Sequence, residues 1–499
     1  MKKTGHDKSR SRDDQMKKKS SINKDRKNSV SKNKKIIFKK DAVIISILFI
    51  AFLIFFLYLS SISTRLLWDE TVYLGNARGY ITQSNFTEEF RYPMLSWSVA
   101  LIWLVTGENI IAAKIFVILL SVLSIILFYL ISKRYLSLYP GLIATILFGL
   151  SPLIMFWGFR IYTDVSSIFF VLLSYYLLLR ADEIGRKNVN HMYVLMILSG
   201  MAAGLSFLMR FPHGLFIVCI VLFLLYKKNL GKTITFCLGI AVTLIPWMIY
   251  NYITHNNPLW DLIAQYTLVN AWTNWEPMSQ QLVNLFLYNS LSIIILFIVG
   301  LFVMIYLRVK KWEFLLIYIV IAFIAYLFLI RLKDARYYIT ILPFIYIIAF
   351  IPIDYLLKRK KKIVSIGGIV VLIIVIMTTL AMSLVTYNKI QENHLCDNDS
   401  ITQSIAYLKT QNVDIQDTIL ASNVWPWYGY HLNMKVSSLW DKDYNLIVID
   451  SKNPQYIAYS NTIDAETNKA KLDENPRLKL EKEFNGTCND KVYLYKKEY

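Results

Sequence analysis

The sequence predicts an α-helical polytopic membrane protein of about eleven transmembrane helices, followed by a small extracytoplasmic α/β domain. Three observations predict it. The 499 residues are 56% hydrophobic and only 18% charged, with a mean hydropathy of +0.43. Soluble domains run to about 45–50% apolar and about 25% charged. Apolar runs of roughly 20 residues recur along the chain, each long enough to cross a bilayer. Finally, the formal charge of +20 is unevenly spread. Residues 1–40 hold 16 Lys and Arg against 4 Asp, whereas residues 387–499 hold 13 basic against 16 acidic residues. The excess is a tail plus short basic loops, the pattern of membrane orientation and not of nucleic-acid binding.

Residues 1–40 are rich in Lys, Ser, Asn and Asp, too polar to build a core. They read as a disordered basic cytoplasmic tail that touches anionic lipid headgroups or simply enforces orientation. Eleven apolar segments follow, at 41–61, 109–131, 139–157, 164–180, 192–209, 213–227, 233–252, 288–307, 312–330, 337–357 and 363–386. Basic residues test this count independently. Lys133 and Arg134, then Arg180, Arg186 and Lys187, then Lys227, Lys228 and Lys232, then Arg308, Lys310 and Lys311, and finally 358–362 fall on every second connection. The positive-inside rule therefore puts the N-terminus in the cytoplasm of a plasma-membrane protein, and an odd number of spans puts the C-terminus outside.

Two outer connections are long. In the loop 62–108, the apolar stretch 94–106 is too short to span and reads as a helix lying at the interface. The other, 253–287, carries Trp260, Trp272 and Trp275, suited to headgroup depth. Residues 387–499 contain strand-like runs at 446–450 and 491–495 between turn residues, hence the soluble domain. Its two cysteines, Cys396 and Cys488, suit a disulfide in an oxidising compartment, though spacing alone does not establish proximity. Cys219 and Cys237 lie in spans. Sequons at Asn85, Asn398 and Asn485 all fall on the outer side.

Charges that the orientation rule leaves unexplained point to chemistry. Asp69 and Glu70 follow the first span, and Glu88 and Glu89 precede Arg91. Asp164 opens the fourth span, Arg210 ends the fifth, and Lys333, Asp334 and Arg336 crowd one short outer turn. Outer cations at headgroup level would bind a lipid phosphate and stabilise charge on it as a leaving group. A carboxylate would take the proton from an attacking acceptor hydroxyl. Structural roles compete at each position: Asp69 and Asp164 also suit helix caps, and the 331–338 charges suit surface pairs.

At these residues the sequence resembles a known family. WDETVYLGNARGYI resembles the first outer loop of the C-type (GT-C) membrane glycosyltransferases, nearest the protein O-mannosyltransferase and lipid A aminoarabinose transferase group. FRYPMLSWSVALIWLVTGEN is similar to that family's Pro-containing segment leading into an interfacial helix. FRIYTDVSS, GLSFLMRFPHGLF and ARYYITILPFIYI resemble its later outer segments, so the likeness covers about residues 41–360. It implies a transmembrane glycosyltransferase domain over 41–386. It also implies that Asp69 is the catalytic base, with Glu70 beside it and Asp164 as the second carboxylate. Arg210 and Arg336 would contact the donor phosphate, with Tyr337 nearby; Lys333 joins them from the charge reading alone. Two departures stand out. Arg91-Tyr92-Pro93-Met94 replaces the Glu-Lys-Pro-Pro of the aminoarabinose transferases, so that acidic role is missing or moves to Glu88 or Glu89. Arg210-Phe211-Pro212 replaces Lys-Gly-Pro.

The expected function is inverting transfer of a sugar from a polyprenyl-phosphate donor to a protein, lipid or glycan acceptor on the outer face. Glu88, Glu89 and Arg91 are assigned to the acceptor side. If a divalent cation (Mg or Mn) takes part, Asp69 and Glu70 are its candidate ligands. The scattered His191, His213 and His255 argue against zinc. The chain holds no Gly-rich nucleotide loop, so a lipid-linked donor is favoured. The alternative is a transporter or flippase of lipid-linked or polar solutes, disfavoured by the scarcity of charge at mid-depth and the lack of internal repeats. A third reading, a scaffold whose outer domain binds partners, rests only on Trp425-Pro426-Trp427-Tyr428.

Overall fold

The computed structural model describes residues 40–63, 65–82, 84–185, 188–272, 290–328, 335–359, 361–395, 399–411, 420–439, 453–462 and 467–498. The chain divides into two compact units, residues 1–52 and 53–499. In the first, residues 40–52 are helical and begin α1 (Lys40–Ser61).

Among the described residues, six helices are long and apolar enough to cross a membrane. These are α1, α4 (Ile110–Tyr135), α7 (Thr163–Ile184), α8 (Val189–Met209), α10 (Leu230–His255) and Lys362–Glu392. Five expected spans are shorter apolar helices instead. The 139–157 segment breaks into α5 (Leu138–Gly149) and α6 (Pro152–Trp157), because Pro152 restarts the helix at its first position and disfavours helical backbone at Ser151. Similarly, 337–357 opens with a 3-10 turn, Ala335–Thr340, before a helix restarts at Leu342-Pro343. The other short ones are Phe211–Tyr226, which contains α9 (Gly214–Tyr226), Leu291–Leu307 and Glu313–Phe328. The expected interfacial segment is helix α3 (Pro93–Thr106), preceded in the same loop by α2 (Trp68–Ile81).

The bundle core is built by close helix approach. A Cβ on Gly200 of α8 would meet the Phe236 carbonyl of α10, and one on Gly239 would meet the Ile197 carbonyl. Small residues let backbones touch where no hydrophobic drive separates lipid from protein. On its other side, α8 packs on α7, and α7 packs on α4.

The C-terminal region holds a five-stranded mixed sheet in the order β2 (Val436–Ser438), β1 (Leu420–Ser422), β3 (Tyr456–Ser460), β5 (Lys491–Lys497), β4 (Leu478–Asn485). The first three strands are mutually parallel, and β5 is antiparallel to both β3 and β4. The expected strand at 491–495 is β5; the one at 446–450 lies outside the described residues. One sheet face packs on the helices Ser400–Thr410 and Trp425–Leu432 through Ile401, Ile405, Leu420, Tyr428 and Leu494. Cys488 is disulfide-bonded; Cys396, its expected partner, lies outside the described residues, as does Asn398. Cys219 and Cys237 are free, and Asn85 and Asn485 are exposed.

This sheet region is locked onto the loop 62–108. The Phe86 ring leaves no room for a Cβ on either Gly75 of α2 or Gly429 of Trp425–Leu432, so two glycines admit the loop between the helices. Trp68 meets Trp425 and Trp427 edge-on at 4.6 and 5.4 Å, geometry that aromatic quadrupoles favour.

Candidate active site

Helix α2 opens with Asp69 and Glu70 in its first turn, where negative charge complements the helix dipole. Their side chains diverge. Asp69 reaches two arginines: Oδ1 lies 3.3 Å from Arg91 Nη1, and Oδ2 accepts from Arg336 Nη1 at 3.1 Å. Glu70 is only 1% exposed. Its Oε2 accepts from the Leu67 amide and its Oε1 from the Ile161 amide, both at 2.8 Å, with Arg160 Nη1 3.9 Å away. Glu70 therefore ties the start of α2 to the α6–α7 turn. The two carboxylates, expected side by side in catalysis or around a cation, thus take different partners: each Glu70 oxygen accepts from a backbone amide, whereas Asp69 meets arginines. Among the described residues no group of three His, Cys, Asp or Glu side chains is placed to hold a metal ion.

Behind Asp69 runs a second line of polar contacts. Arg91 Nε donates to Glu88 Oε2 at 2.9 Å, and Glu88 Oε1 accepts from the Trp425 indole N–H at 2.8 Å. The Glu88 backbone is fixed in turn by Asn76, which bonds its N–H and its C=O at 2.7 and 2.8 Å. The sheet region, the loop 62–108 and α2 thus join in one network that ends on Asp69. Glu88 is a buried link in it. Glu89, exposed, faces the other way, with an oxygen 3.7 Å from His255 Nε2. It borders a cavity of about 150 Å³ together with Tyr80, Tyr250 and Asp261.

Asp164, in the first turn of α7, lies 2.6 Å from Arg210 at the end of α8, and both side chains are buried. Arg210 also approaches Thr163 Oγ1 at 3.5 Å, which is 3.4 Å from the Tyr73 hydroxyl, and it stands 5.3 Å over the Tyr337 ring. Arg336 lies over the rings of Trp157 and Tyr162 at 5.3 and 5.9 Å, contacts that hold a guanidinium without neutralising it. Lys333 and Asp334 lie outside the described residues.

Electrostatics link the two acid–arginine groups. Burial would raise the Asp69 carboxyl, but Arg91, Arg336 and Arg210 together hold it below its ordinary value. Burial, then the charge of Asp69 and the more distant Asp164, push the Tyr73 phenol well up. Burial would lower Arg210, and Asp164 more than restores it. Near neutral pH the site therefore offers an ionised Asp69, a cationic Arg210 and a neutral Tyr73 phenol. Sequence reading had singled out Asp69, Asp164, Arg210, Arg336 and Tyr337, which the fold brings together. It missed Tyr73, Tyr162 and Trp157, although all three stand in the quoted segments. It also missed the link from Trp425.

Comparison with known proteins agrees with this architecture. Residues 91–251 match the dolichyl-phosphate-mannose-protein mannosyltransferase family. No curated protein matches the whole sequence significantly. Among solved structures, ArnT from Cupriavidus metallidurans bound to undecaprenyl phosphate superposes with a TM-score of 0.64 at 13% identity, over 90% of this chain and 97% of that one. The Archaeoglobus fulgidus oligosaccharyltransferase superposes with a TM-score of 0.58 at 11% identity, over 83% of this chain and 69% of that one. The same archaeal enzyme, AglB, in complex with an inhibitory peptide and a dolichol-phosphate, gives 0.55. The chain thus shares the GT-C fold of these glycosyltransferases, and its residues 91–251 match the protein-mannosyltransferase family model.

Proposed function

We propose that this protein is an inverting glycosyltransferase that takes a sugar from a polyprenyl-phosphate donor on the outer face of the plasma membrane, with its N-terminus in the cytoplasm. One observation carries the reading: Asp69 is held by two arginines, each able to take a phosphate in its place. A donor phosphate entering between Arg91 and Arg336 would compete with Asp69 for their N–H groups. The freed carboxylate then accepts the proton of an acceptor hydroxyl. The acceptor oxygen bonds to the anomeric carbon as the bond from that carbon to the phosphate oxygen breaks, and the electron pair leaves with the lipid phosphate. Attack opposite the leaving group inverts the centre. The buried Arg210 adds positive potential from behind, favouring the charge that develops on the phosphate. Support from outside the chain is the undecaprenyl phosphate bound to ArnT and the dolichol-phosphate bound to AglB.

The test is release of lipid phosphate from a polyprenyl-phosphate sugar by purified protein. Release is expected from the unmodified chain. Asp69→Asn should reduce it by at least about 100-fold, within the range for a lost general base, with the variant still inserted and folded. Equal release by Asp69→Asn would overturn the assignment.

A further inference from the structure

At the opposite end of the bundle from Asp69 lies a cavity of about 760 Å³, within the size range of ligand sites. Helix α7 carries Asp164 at one end and Asp182 and Glu183 at the other, and its 22 residues separate the two ends by roughly 30 Å. The walls are apolar: Tyr175, Leu178, Leu179, Phe223 and Phe314. The rim is charged, and its cations are not equivalent. Arg134 pairs with Glu183, and Lys227 with Glu313. Lys311 meets no carboxylate within ion-pair distance among the described residues. Its Nζ sits 3.4 Å from the carbonyl oxygens of Arg134 and Tyr135, at the C-terminus of α4.

We propose that this cavity binds one anionic membrane phospholipid, its phosphodiester on Lys311 and an acyl chain along the wall of Phe223, Phe314 and Leu179. The charge and the shape argue for the same occupant. An ammonium that rests on two carbonyl oxygens, with no carboxylate in ion-pair distance among the described residues, keeps its charge at the mouth and selects a phosphate. An apolar wall that leads away from that mouth, in a bundle surrounded by lipid, selects a chain attached to it. A soluble phosphate would satisfy the lysine and leave the wall empty. The site lies apart from the Asp69 cluster, so the proposal does not depend on the transfer reaction.

The experiment is native mass spectrometry of delipidated full-length protein offered phosphatidylglycerol, phosphatidylcholine of the same chains, or glycerol phosphate. One tightly held phosphatidylglycerol is expected, preferred about fivefold over phosphatidylcholine, the ratio set by one basic residue at an anionic surface. Lys311→Met should abolish that preference, while Lys228→Ala, outside the cavity lining, should keep it. Leu179→Trp, which fills the wall and leaves every charge in place, should reduce retention of both lipids. That variant decides the matter if Lys311→Met fails to fold. Equal retention of the two lipids by the unmodified protein would overturn the proposal. So would glycerol phosphate binding as well as the lipid, which would mark a free-phosphate site.

Discussion

Two acid–arginine groups sit at the same end of this bundle and are built in opposite ways. Asp69 and Arg336 keep 18% and 26% of their side-chain surface exposed, whereas Asp164 and Arg210 keep 1% and 7%. The first group gathers α2, the neighbouring 88–91 loop and the turn before Leu342, the last with Arg336 267 positions from Asp69. The second joins the facing ends of two long helices. An ion pair within reach of water exchanges partners at small cost, but a sealed one leaves a bare charge behind when broken. The difference assigns the roles: Asp69 and its arginines can open to a substrate, while Asp164 and Arg210 hold the frame and set the local potential.

The sharpest way to break this contrast is to remove one arginine from each group. Arg210→Ala should destabilise the protein by about 3–5 kcal/mol, the usual cost of stripping a buried pair of one partner. Arg336→Ala should cost no more than about 1 kcal/mol, as expected of a part-exposed pair. Melting of the detergent-solubilised variants measures both. A stable but inactive Arg210→Ala would move the second group from the frame into the chemistry.

Glu70 sharpens the comparison from within α2. Glu70→Gln keeps the size but offers an NH₂ where an oxygen accepted a backbone N–H, leaving one buried amide facing a donor. The expected loss of stability is about 1–3 kcal/mol, with turnover of the surviving protein close to normal. Full stability with turnover abolished would return Glu70 to the catalytic role that its position beside Asp69 had suggested.

A smaller effect is expected at the join with the sheet region. Trp425→Phe removes the indole N–H from Glu88, and Glu88 then orients Arg91 less firmly. Turnover should fall about fivefold, equivalent to about 1 kcal/mol in the barrier, with KM little changed. Trp427→Phe is the control: its indole N–H reaches the Leu66 carbonyl instead, at 2.9 Å, so it should lower stability without a matching loss of rate. The reverse pattern would mean that the network through Glu88 does not bear on Asp69.

How much of this was legible follows from the range of each interaction. Helix positions came from local hydropathy, but the break at Pro152 was hidden inside the 139–157 run, because a proline's effect on the backbone reaches one residue while hydropathy is read over many. Asp69, Asp164, Arg210 and Arg336 stood out because charge beside a bilayer is costly and needs a reason. The divergence of Asp69 and Glu70 was hidden. Neighbours on a helix point about 100° apart, and the signal that Glu70 folds back on the Leu67 amide is muted because Leu67 is not a Ser or Thr cap. The bond from Trp425 to Glu88 spans 337 positions, and nothing local in either segment encodes its partner.

The finest test of the open group is its titration. Asp69 is held below its ordinary value of 3.8, against burial, by Arg91 and Arg336. For a carboxyl lowered in this way, the stabilising pairing is fully present above the ordinary value and is lost as pH falls through the lowered one. Between pH 5 and 8 the carboxylate is therefore always ionised, and Asp69 contributes no loss of kcat/KM in that window. Arg336→Met removes one of the two nearest cations and leaves burial in place, so the acid limb of the kcat/KM profile should move to higher pH. Arg210→Lys keeps the buried charge and should leave that limb where it was. An acid limb that stays put in Arg336→Met would mean that Arg336 does not govern Asp69 in the working enzyme. The contrast between the open and the sealed group would then rest on exposure alone.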